Sequence, residues 1–327
     1  MVSTTSASHD LGSVSVLLTG GTGFVGRAIR TYLASFPNFK VYYTGTQVPA
    51  VPLGPNEEFI KWRIGEKLVA SECDYIIHCA TPASTALNLG EPRRMFTLIL
   101  DGALSVTDLA EQWQNKPRIM FTSSGAVYGQ MPIGIERFEE SCLLANDPRA
   151  PGSAYSEGKR VAEMLFAQAF DRDVLRPVYC RLFAFSGTYL PLNRHFAIGN
   201  FVRDAALSTK IVVKGSGIAI RSYLDQTDLA AWCLAALLHG KENSVFHIGS
   251  ERSISILQLA DLVSTRAHAL FGKRVEVEHE IDPSIVESRS RYLPSTKWTR
   301  SQLEVTENIS LEDSIDAMLL NAVKAEF

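Results

Sequence analysis

Tyr155 and Lys159 stand four residues apart in Tyr155-Ser-Glu-Gly-Lys159, inside a run with helical periodicity. Positions i and i+4 share one face of a helix, so the phenol and the ammonium point the same way. A phenol with an ordinary pKa of about 10 is a poor base at neutral pH. A lysine cation close by favours the phenolate. Each unit of lowering takes about 1.4 kcal/mol of differential interaction, which one cation in a dry site can supply. The spacing alone would equally suit an incidental surface pair. A hydroxyl elsewhere tips the balance towards chemistry. The stretch Phe121-Thr-Ser-Ser-Gly-Ala-Val-Tyr-Gly129 ends a strand, which puts Ser124 at the carboxyl edge of a sheet. Open α/β sheets place their ligands at that edge. Ser124 is placed to donate to a substrate oxygen and to the tyrosine, whereas Ser123 suits an ordinary strand-ending turn.

A partner for this trio is written near the start. Val14-Ser-Val-Leu-Leu-Thr19 reads as a strand, glycines follow at 20, 21, 23 and 26, and a helical pattern begins at Val25, Ile29 and Leu33. Glycines let such a turn be tight and let backbone approach a pyrophosphate, and the helix N-terminus adds unpaired N–H groups and a positive dipole end. Gly20, Gly23, Phe24, Val25 and Gly26 are therefore the candidate cofactor cradle. A bare G-x-G-x-x-G is weak evidence; set between a strand and a helix it is much stronger.

The elements that must position these groups follow in order. Residues 40–44, 58–62, 75–80, 118–122 and 177–183 read as strands, and 91–113 and 154–170 as helices. The run at 75–80 is apolar throughout, as a parallel strand buried on both faces requires. Strands alternating with helices predict an α/β fold, a right-handed doubly wound parallel sheet of the Rossmann type. Beyond Ser186 the rhythm breaks into an irregular stretch (187–194), a helix (196–207), a short strand (211–213), a glycine-containing loop (215–217), a helix (225–239) and one more sheet strand (245–248). Ser255-Ile-Leu-Gln258 and Ser310-Leu-Glu-Asp313 resemble capping boxes that open helices. The expected division is a loose tail (1–12), a dinucleotide-binding domain (13–186 and 225–248), and a smaller, discontinuous α/β lobe for the substrate (187–224 and 249–327).

The bulk numbers fit that division. A chain of 327 residues is long for one compact unit, and its apolar share suffices for a sizeable core. A formal net charge of −3 gives no reason to expect nucleic acid or an anionic membrane as partner. No apolar run is long enough to span a bilayer, and the Ser/Thr-rich start lacks the pattern of a signal peptide. The five cysteines (73, 79, 142, 180 and 233) form no C-x-x-C pair. Reduced core thiols in a cytoplasmic protein, with no metal site, are the expectation.

Taken together, Thr19-Gly-Gly-Thr-Gly-Phe-Val-Gly26, Ser124 before Val127-Tyr-Gly129, and Tyr155…Lys159 resemble the extended short-chain dehydrogenase/reductase family, and within it the nucleotide-sugar epimerase/dehydratase branch. The resemblance runs from Val14 to the C-terminal helix. It implies a catalytic Ser124–Tyr155–Lys159 triad with NAD or NADP as cofactor, Lys159 also holding the nicotinamide ribose. It implies that the end of the second strand, at Thr44, and the loop after His78, with Ala80 and Thr81, line the cofactor. In the smaller lobe Gly215–Gly217 followed by Arg221-Ser-Tyr-Leu and Asp228 is similar to the branch's pattern. There the arginine grips the substrate diphosphate, a bidentate task suited to guanidinium. Asn200 matches an asparagine that contacts the same diphosphate, and Val213 and Lys214 match the strand beside the base. Arg289, in Ser288-Arg-Ser-Arg291, is a candidate second phosphate clamp, with a solvated basic loop as its alternative. A homodimer through the helices at 91–113 and 154–170 is the assembly implied.

The departures narrow the reaction. Where the branch's 4,6-dehydratases carry Asp-Glu, and its decarboxylases a glutamate at the second position, this chain has Gly125 and Ala126. Water elimination needs an acid and a base beyond the tyrosine. Glu157, two residues from Tyr155, lies on another helix face. Ketone reduction and 4-epimerisation remain, with 4-epimerisation of a nucleotide-diphosphate sugar favoured. A non-catalytic dinucleotide-sensing protein is a further alternative, disfavoured because all three triad residues are kept. The cofactor signal also departs. NAD sites usually show an acid about 20 residues past the glycines, and here none occurs until Glu57. Arg27 and Lys40 are within range of a 2′-phosphate but read as solvated, and Arg63-Ile64 replaces an adenine-contacting aspartate. His78 reads as a satisfied core histidine. Ile99 stands where relatives carry an asparagine, removing a partner for Lys159.

Overall fold

The computed structural model describes residues 13–49, 53–82, 84–194, 196–207, 210–272, 274–280 and 290–324. Seven strands form one sheet: β1 (Val14–Thr19), β2 (Phe39–Gly45), β3 (Glu57–Lys61), β4 (Tyr75–His78), β5 (Arg118–Ser124), β6 (Arg176–Leu182) and, later in the chain, β11 (Ser244–Ile248). The short strands between are β7 (Phe185–Ser186), β8 (Ile211–Lys214), β9 (Ile220–Arg221) and β10 (Leu224–Asp225), followed by β12 (Ile254–Ser255) and β13 (Val277–Glu280). The helices are α1 (Phe24–Leu33), α2 (Thr85–Gly90), α3 (Pro92–Ala110), α4 (Ala154–Asp171), α5 (Ala197–Ala206), α6 (Gln226–His239), α7 (Ile256–Phe271), α8 (Lys297–Leu303) and α9 (Leu311–Lys324).

The large sheet is ordered β11-β6-β5-β4-β1-β2-β3 and every pairing in it is parallel. The order reverses direction on either side of β1, so a crevice opens beyond the carboxyl ends of β1 and β4. Apolar side chains fill both faces. One layer packs Leu18, Ile29, Leu33, Tyr43, Trp232 and Leu237. The other packs Leu17, Ile76, Ile99, Val106, Phe121 and Phe166. This is the doubly wound α/β architecture read from the alternation of elements. A further core gathers Ile198, Val202, Val213, Leu259, Val263, Ile315 and Leu319 from α5, β8, α7 and α9. The Ser255–Gln258 capping box forms in both directions, and Ser310 caps the Asp313 N–H at 3.1 Å.

The differences from the sequence reading are local. The strand expected over 75–80 ends at His78 because the chain then bends onto the glycine turn: Cys79 N–H donates to Thr19 O at 3.1 Å and Ala80 N–H to Thr19 Oγ1 at 3.3 Å. The short elements α2, α8 and β13 were not anticipated; each is too brief for periodicity to reveal. All five cysteines are unpaired. Among the described residues, no helix is long and apolar enough to cross a membrane, and no cluster of three or more His, Cys, Asp or Glu could hold a metal.

Candidate active site

The glycine turn is built by exclusion of side chains. Gly20 has φ +73°, and a Cβ there would lie 2.8 Å from Ala80 Cα and N. A Cβ on Gly26 would lie 2.3 Å from Gly20 O. These two residues are glycine so that the turn can close on itself and on the end of β4. Gly23 is different: it is exposed, and its nearest neighbour would stand at 3.4 Å. It is the N-cap of α1 and provides no side-chain cap. The first N–H groups of α1, at Phe24 and Val25, therefore face an open glycine shelf, the arrangement that receives a pyrophosphate. Ala80 is the wall on the other side. Thr44 is buried, its Oγ1 accepting from Gly20 N at 3.2 Å and its carbonyl from Gly21 N at 2.9 Å, so it braces the turn.

The end of β2 carries no free acid. Glu57, the first carboxylate after it, is half-buried and held by Arg30 through Nε at 2.8 Å and Nη2 at 2.7 Å, with Gly54 N–H donating at 3.0 Å. The guanidinium beside it keeps this carboxyl below its usual range against the opposing effect of burial. Arg27 lies over the Tyr189 ring at 4.3 Å. Lys40 sits at the start of β2, the opposite edge from the cradle, 3.8 Å from Glu58, and takes no part in the site.

On α4 the phenol and ammonium share a face as the spacing requires: Lys159 Nζ lies 5.9 Å from the Tyr155 ring centroid. Lys159 is buried and donates to Thr122 O at 2.6 Å and to Thr81 Oγ1 at 2.9 Å. Thr81 thus supplies the partner that Ile99 cannot. Ile99 serves packing instead, its Cδ1 standing 2.8 Å from where a Gly158 Cβ would be, which lets α3 and α4 approach closely. Burial pulls the Lys159 ammonium down to about 7. Burial raises the Tyr155 phenol, and the Ser124 hydroxyl opposes that rise through a hydrogen bond. The start of α4 is anchored from α2, where Asn88 Oδ1 accepts from Tyr155 N–H at 2.9 Å.

Alternation along β5 separates its two serines. Ser124 turns towards Tyr155, accepts from Ala126 N–H at 3.1 Å, and lies 3.5 Å from the Tyr292 Oη. Ser123 points the other way and donates to Glu163 at 2.5 Å. Glu163 in turn holds Arg181 through two bonds of 2.7 and 2.9 Å. Arg181 lies 4.8 Å over Tyr128, whose hydroxyl meets His247 Nε2 at 2.6 Å. His247 is buried and its imidazole is pushed down to about 3, so it is neutral; Nδ1 carries the proton that goes to Ser295 O at 2.9 Å. This chain of satisfied groups stiffens the back of β5. His78 is buried and neutral as well, pushed down to about 3, but only its Nδ1 is satisfied, by Thr19 Oγ1 at 2.7 Å. Its Nε2 has no partner, so the core-histidine reading holds only in part.

In the smaller lobe Arg221, an expected diphosphate contact, is half-buried and, among the described residues, in no ion pair. Its guanidinium donates to Ser290 O at 2.9 Å and Ser290 Oγ at 3.3 Å. Asn200, on α5, accepts from Arg203 Nη1 at 3.3 Å. The Val213 side chain is wholly inside the further core, so only its backbone is available to a ligand. Arg289 lies outside the described residues. Two residues were missed entirely. A Cβ built on Gly125 would lie 2.7 Å from the Phe183 ring and 2.8 Å from the Tyr292 hydroxyl. Phe183 and Tyr292 therefore occupy the space into which an acid at 125 would project. No local pattern marks either residue; only the fold brings them there.

A parallel sheet with an open glycine cradle at its switch point, and a serine, tyrosine and lysine converging beside it, defines a dinucleotide-dependent enzyme of the short-chain dehydrogenase type. The profile of the NAD dependent epimerase/dehydratase family matches residues 16–249, and the chain belongs to that family. It is 25% identical over 311 residues to UDP-glucuronic acid decarboxylase 1 of Arabidopsis thaliana, covering 93% of this chain and 68% of that one. Its fold is similar to UDP-glucose 4-epimerase of Thermotoga maritima, solved with UDP-glucose, at a TM-score of 0.82 and 20% identity over 96% of this chain and 100% of the other. It is also similar to dTDP-glucose 4,6-dehydratase of Bacillus anthracis, solved with NAD, at a TM-score of 0.78 and 20% identity over 96% and 97%. The cofactor is NAD or NADP. The uncapped, glycine-shelved start of α1 fits its pyrophosphate.

Proposed function

We propose that this enzyme acts on a nucleotide-diphosphate sugar by hydride transfer at a single sugar carbon, first as a 4-epimerase. The observation that carries this reading is the triad with no acid beside it. Ser124, Tyr155 and Lys159 converge, while Phe183 and Tyr292 fill the room that an acidic side chain at 125 would need. Glu157, the nearest acid in sequence to Tyr155, is engaged with Arg160 at 3.5 Å. Such a site handles one proton and one hydride at a carbinol. It is not equipped for the further acid and base that water elimination needs.

A bound nicotinamide supplies the hydride acceptor, and in its oxidised form a positive ring that favours a phenolate nearby. Tyr155 takes the proton of the sugar C4 hydroxyl. Ser124 donates its one proton to the Tyr155 phenolate first, and turns it to the sugar oxygen once Tyr155 is protonated and charge develops there. Lys159, fixed by Thr81 and Thr122, adds when protonated a cation that opposes the effect of burial on Tyr155. Gly20, Gly23, Phe24, Val25 and Gly26 hold the cofactor, with Ala80 as wall and Thr44 and Thr81 as braces. Arg221 and Asn200 hold the diphosphate, in a sugar lobe made of residues 187–224 and 249–327, with Val213 backbone beside the base. If the ketone turns over and receives hydride on its other face, the stereocentre inverts. If a ketone arrives from solution, the same residues run a ketoreductase.

The second reading is distinguished by the cofactor. Protein that purifies with NAD bound and needs none added supports epimerisation; a stoichiometric demand for NADPH with a 4-keto sugar supports reduction. Tyr155→Phe tests both. Hydride transfer should fall by about 10²–10⁴-fold, the span of general acid–base catalysis, while both nucleotides stay bound. Unchanged turnover would refute the role. We also propose a homodimer through α3 and α4, on whose surfaces Leu104 and Met164 stand 42% and 48% exposed.

A further inference from the structure

Ser124 sits between two phenols. Its hydroxyl acts on Tyr155, and the Tyr292 Oη lies 3.5 Å from its Oγ. Ser124 has one proton to give and two lone pairs to fill. If the proton goes to Tyr155, the lone pairs need donors. The Ala126 N–H supplies one, at 3.1 Å. Among the described residues the other donor within reach is Tyr292, whose proton goes to Leu182 O at 3.3 Å in this structure. The two options for the Tyr292 hydroxyl differ by 0.2 Å in length, so a small rotation exchanges them.

Tyr292 is held there firmly. Its N–H donates to Ile220 O at 3.1 Å, and Ile220 N–H donates to Ser290 O at 2.9 Å, which lays residues 290–292 along β9. Its ring packs on Phe183 at 4.9 Å. The same short segment meets the Arg221 guanidinium through Ser290. Three residues thus join the candidate diphosphate grip to the proton chemistry.

We propose that Tyr292 is a positioning residue for Tyr155: its hydroxyl turns from Leu182 O to Ser124, completing a chain Tyr292 O–H···Ser124 O–H···Tyr155 that supports the phenolate. This rests on the hydride-transfer reading above. Hydrogen bonds in series polarise one another, so feeding the acceptor side of Ser124 strengthens what it donates. No proton leaves Tyr292; the only proton that moves passes between Tyr155 and the sugar oxygen. Among the described residues, the charged and titratable groups around the two phenols are Lys159 on α4 and Arg221 on β9. Cys79 and Glu163 act on Lys159, and α2 contributes only the neutral Asn88 amide. Burial raises the Tyr292 phenol, outweighing the Ser124 hydrogen bond and the Arg221 charge that oppose it, so Tyr292 stays protonated as a donor must.

Tyr292→Phe keeps the ring and removes the hydroxyl. The acidic limb of the kcat/KM–pH profile should move up by about one unit, a rate loss of about tenfold near neutrality that is recovered at higher pH. The KM for the sugar nucleotide should stay put. In a Ser124→Ala background the same substitution should add nothing, because the link is already cut. An unmoved limb, or full additivity with Ser124→Ala, overturns the proposal. If Tyr155→Phe is inactive while Tyr292→Phe keeps the wild-type profile, this inference alone fails. If Tyr155→Phe turns over normally, it is the hydride-transfer reading that fails.

Discussion

The half of the crevice proposed for the cofactor and the half proposed for the sugar are made in opposite ways. The cradle for the dinucleotide comes from one unbroken run, Thr19 to Gly26, and its geometry follows from which residues lack a side chain. The sugar half is assembled from Ser124 and Gly125 after β5, Phe183 after β6, Arg221 on β9 and residues 290–292, far apart in the chain. The first half is generic to a cofactor that many enzymes share. On the proposed reading the second decides which reaction follows, because Tyr292 and Phe183 stand where an acid at 125 would project. A common cradle needs only local rules, whereas choosing the reaction takes contacts that sequence distance hides.

Substitutions on each side separate the halves. The largest effect is expected for Gly26→Ala, whose Cβ would stand 2.3 Å from Gly20 O. The turn must open, at a cost of about 3 kcal/mol or more. Dinucleotide binding should disappear in calorimetry, and unchanged affinity would show that the cradle lies elsewhere. Arg221→Ala should do the reverse, leaving dinucleotide binding intact. It should weaken the nucleotide sugar about 10–100-fold, the worth of a charge-assisted bond; equal loss of both ligands would erase the distinction. The smallest effect is expected for Gly125→Ala. Its Cβ meets the Phe183 ring at 2.7 Å and the Tyr292 hydroxyl at 2.8 Å, and displacing them should cost ~1–3 kcal/mol in denaturant unfolding. A neutral result would mean that the space is open to an acid after all.

The legibility of the chain follows the same line. The alternation of strands with helices, and with it the doubly wound parallel class, is legible because β1 and β4 are largely apolar runs and α3 and α4 have a helical period; the strand order is not, since it depends on which strands pair. Tyr155 and Lys159 were readable because one helix turn separates them. Lys159 illustrates the limit. The loss of an asparagine at Ile99 suggested a missing partner, yet Thr81 and Thr122 supply two, from the ends of neighbouring strands. Thr44, an expected cofactor contact, is buried and braces the glycine turn through Gly20 N–H, a role that its place in the sequence does not reveal. Val213, expected on the strand beside the base, has its side chain in a core, so only its backbone is open to a ligand there.

The sequence by itself determined the α/β class, the glycine cradle and the spacing of the phenol and ammonium, since these rest on neighbours within a few residues and on backbone rules that act locally. Only the tertiary structure decided that Ser124 lies between two phenols, that Arg30 occupies Glu57, and that Phe183 and Tyr292 close the space beside Gly125. Those facts depend on which distant segments the packed sheet brings within a few ångströms, and burial then sets the protonation of what meets there.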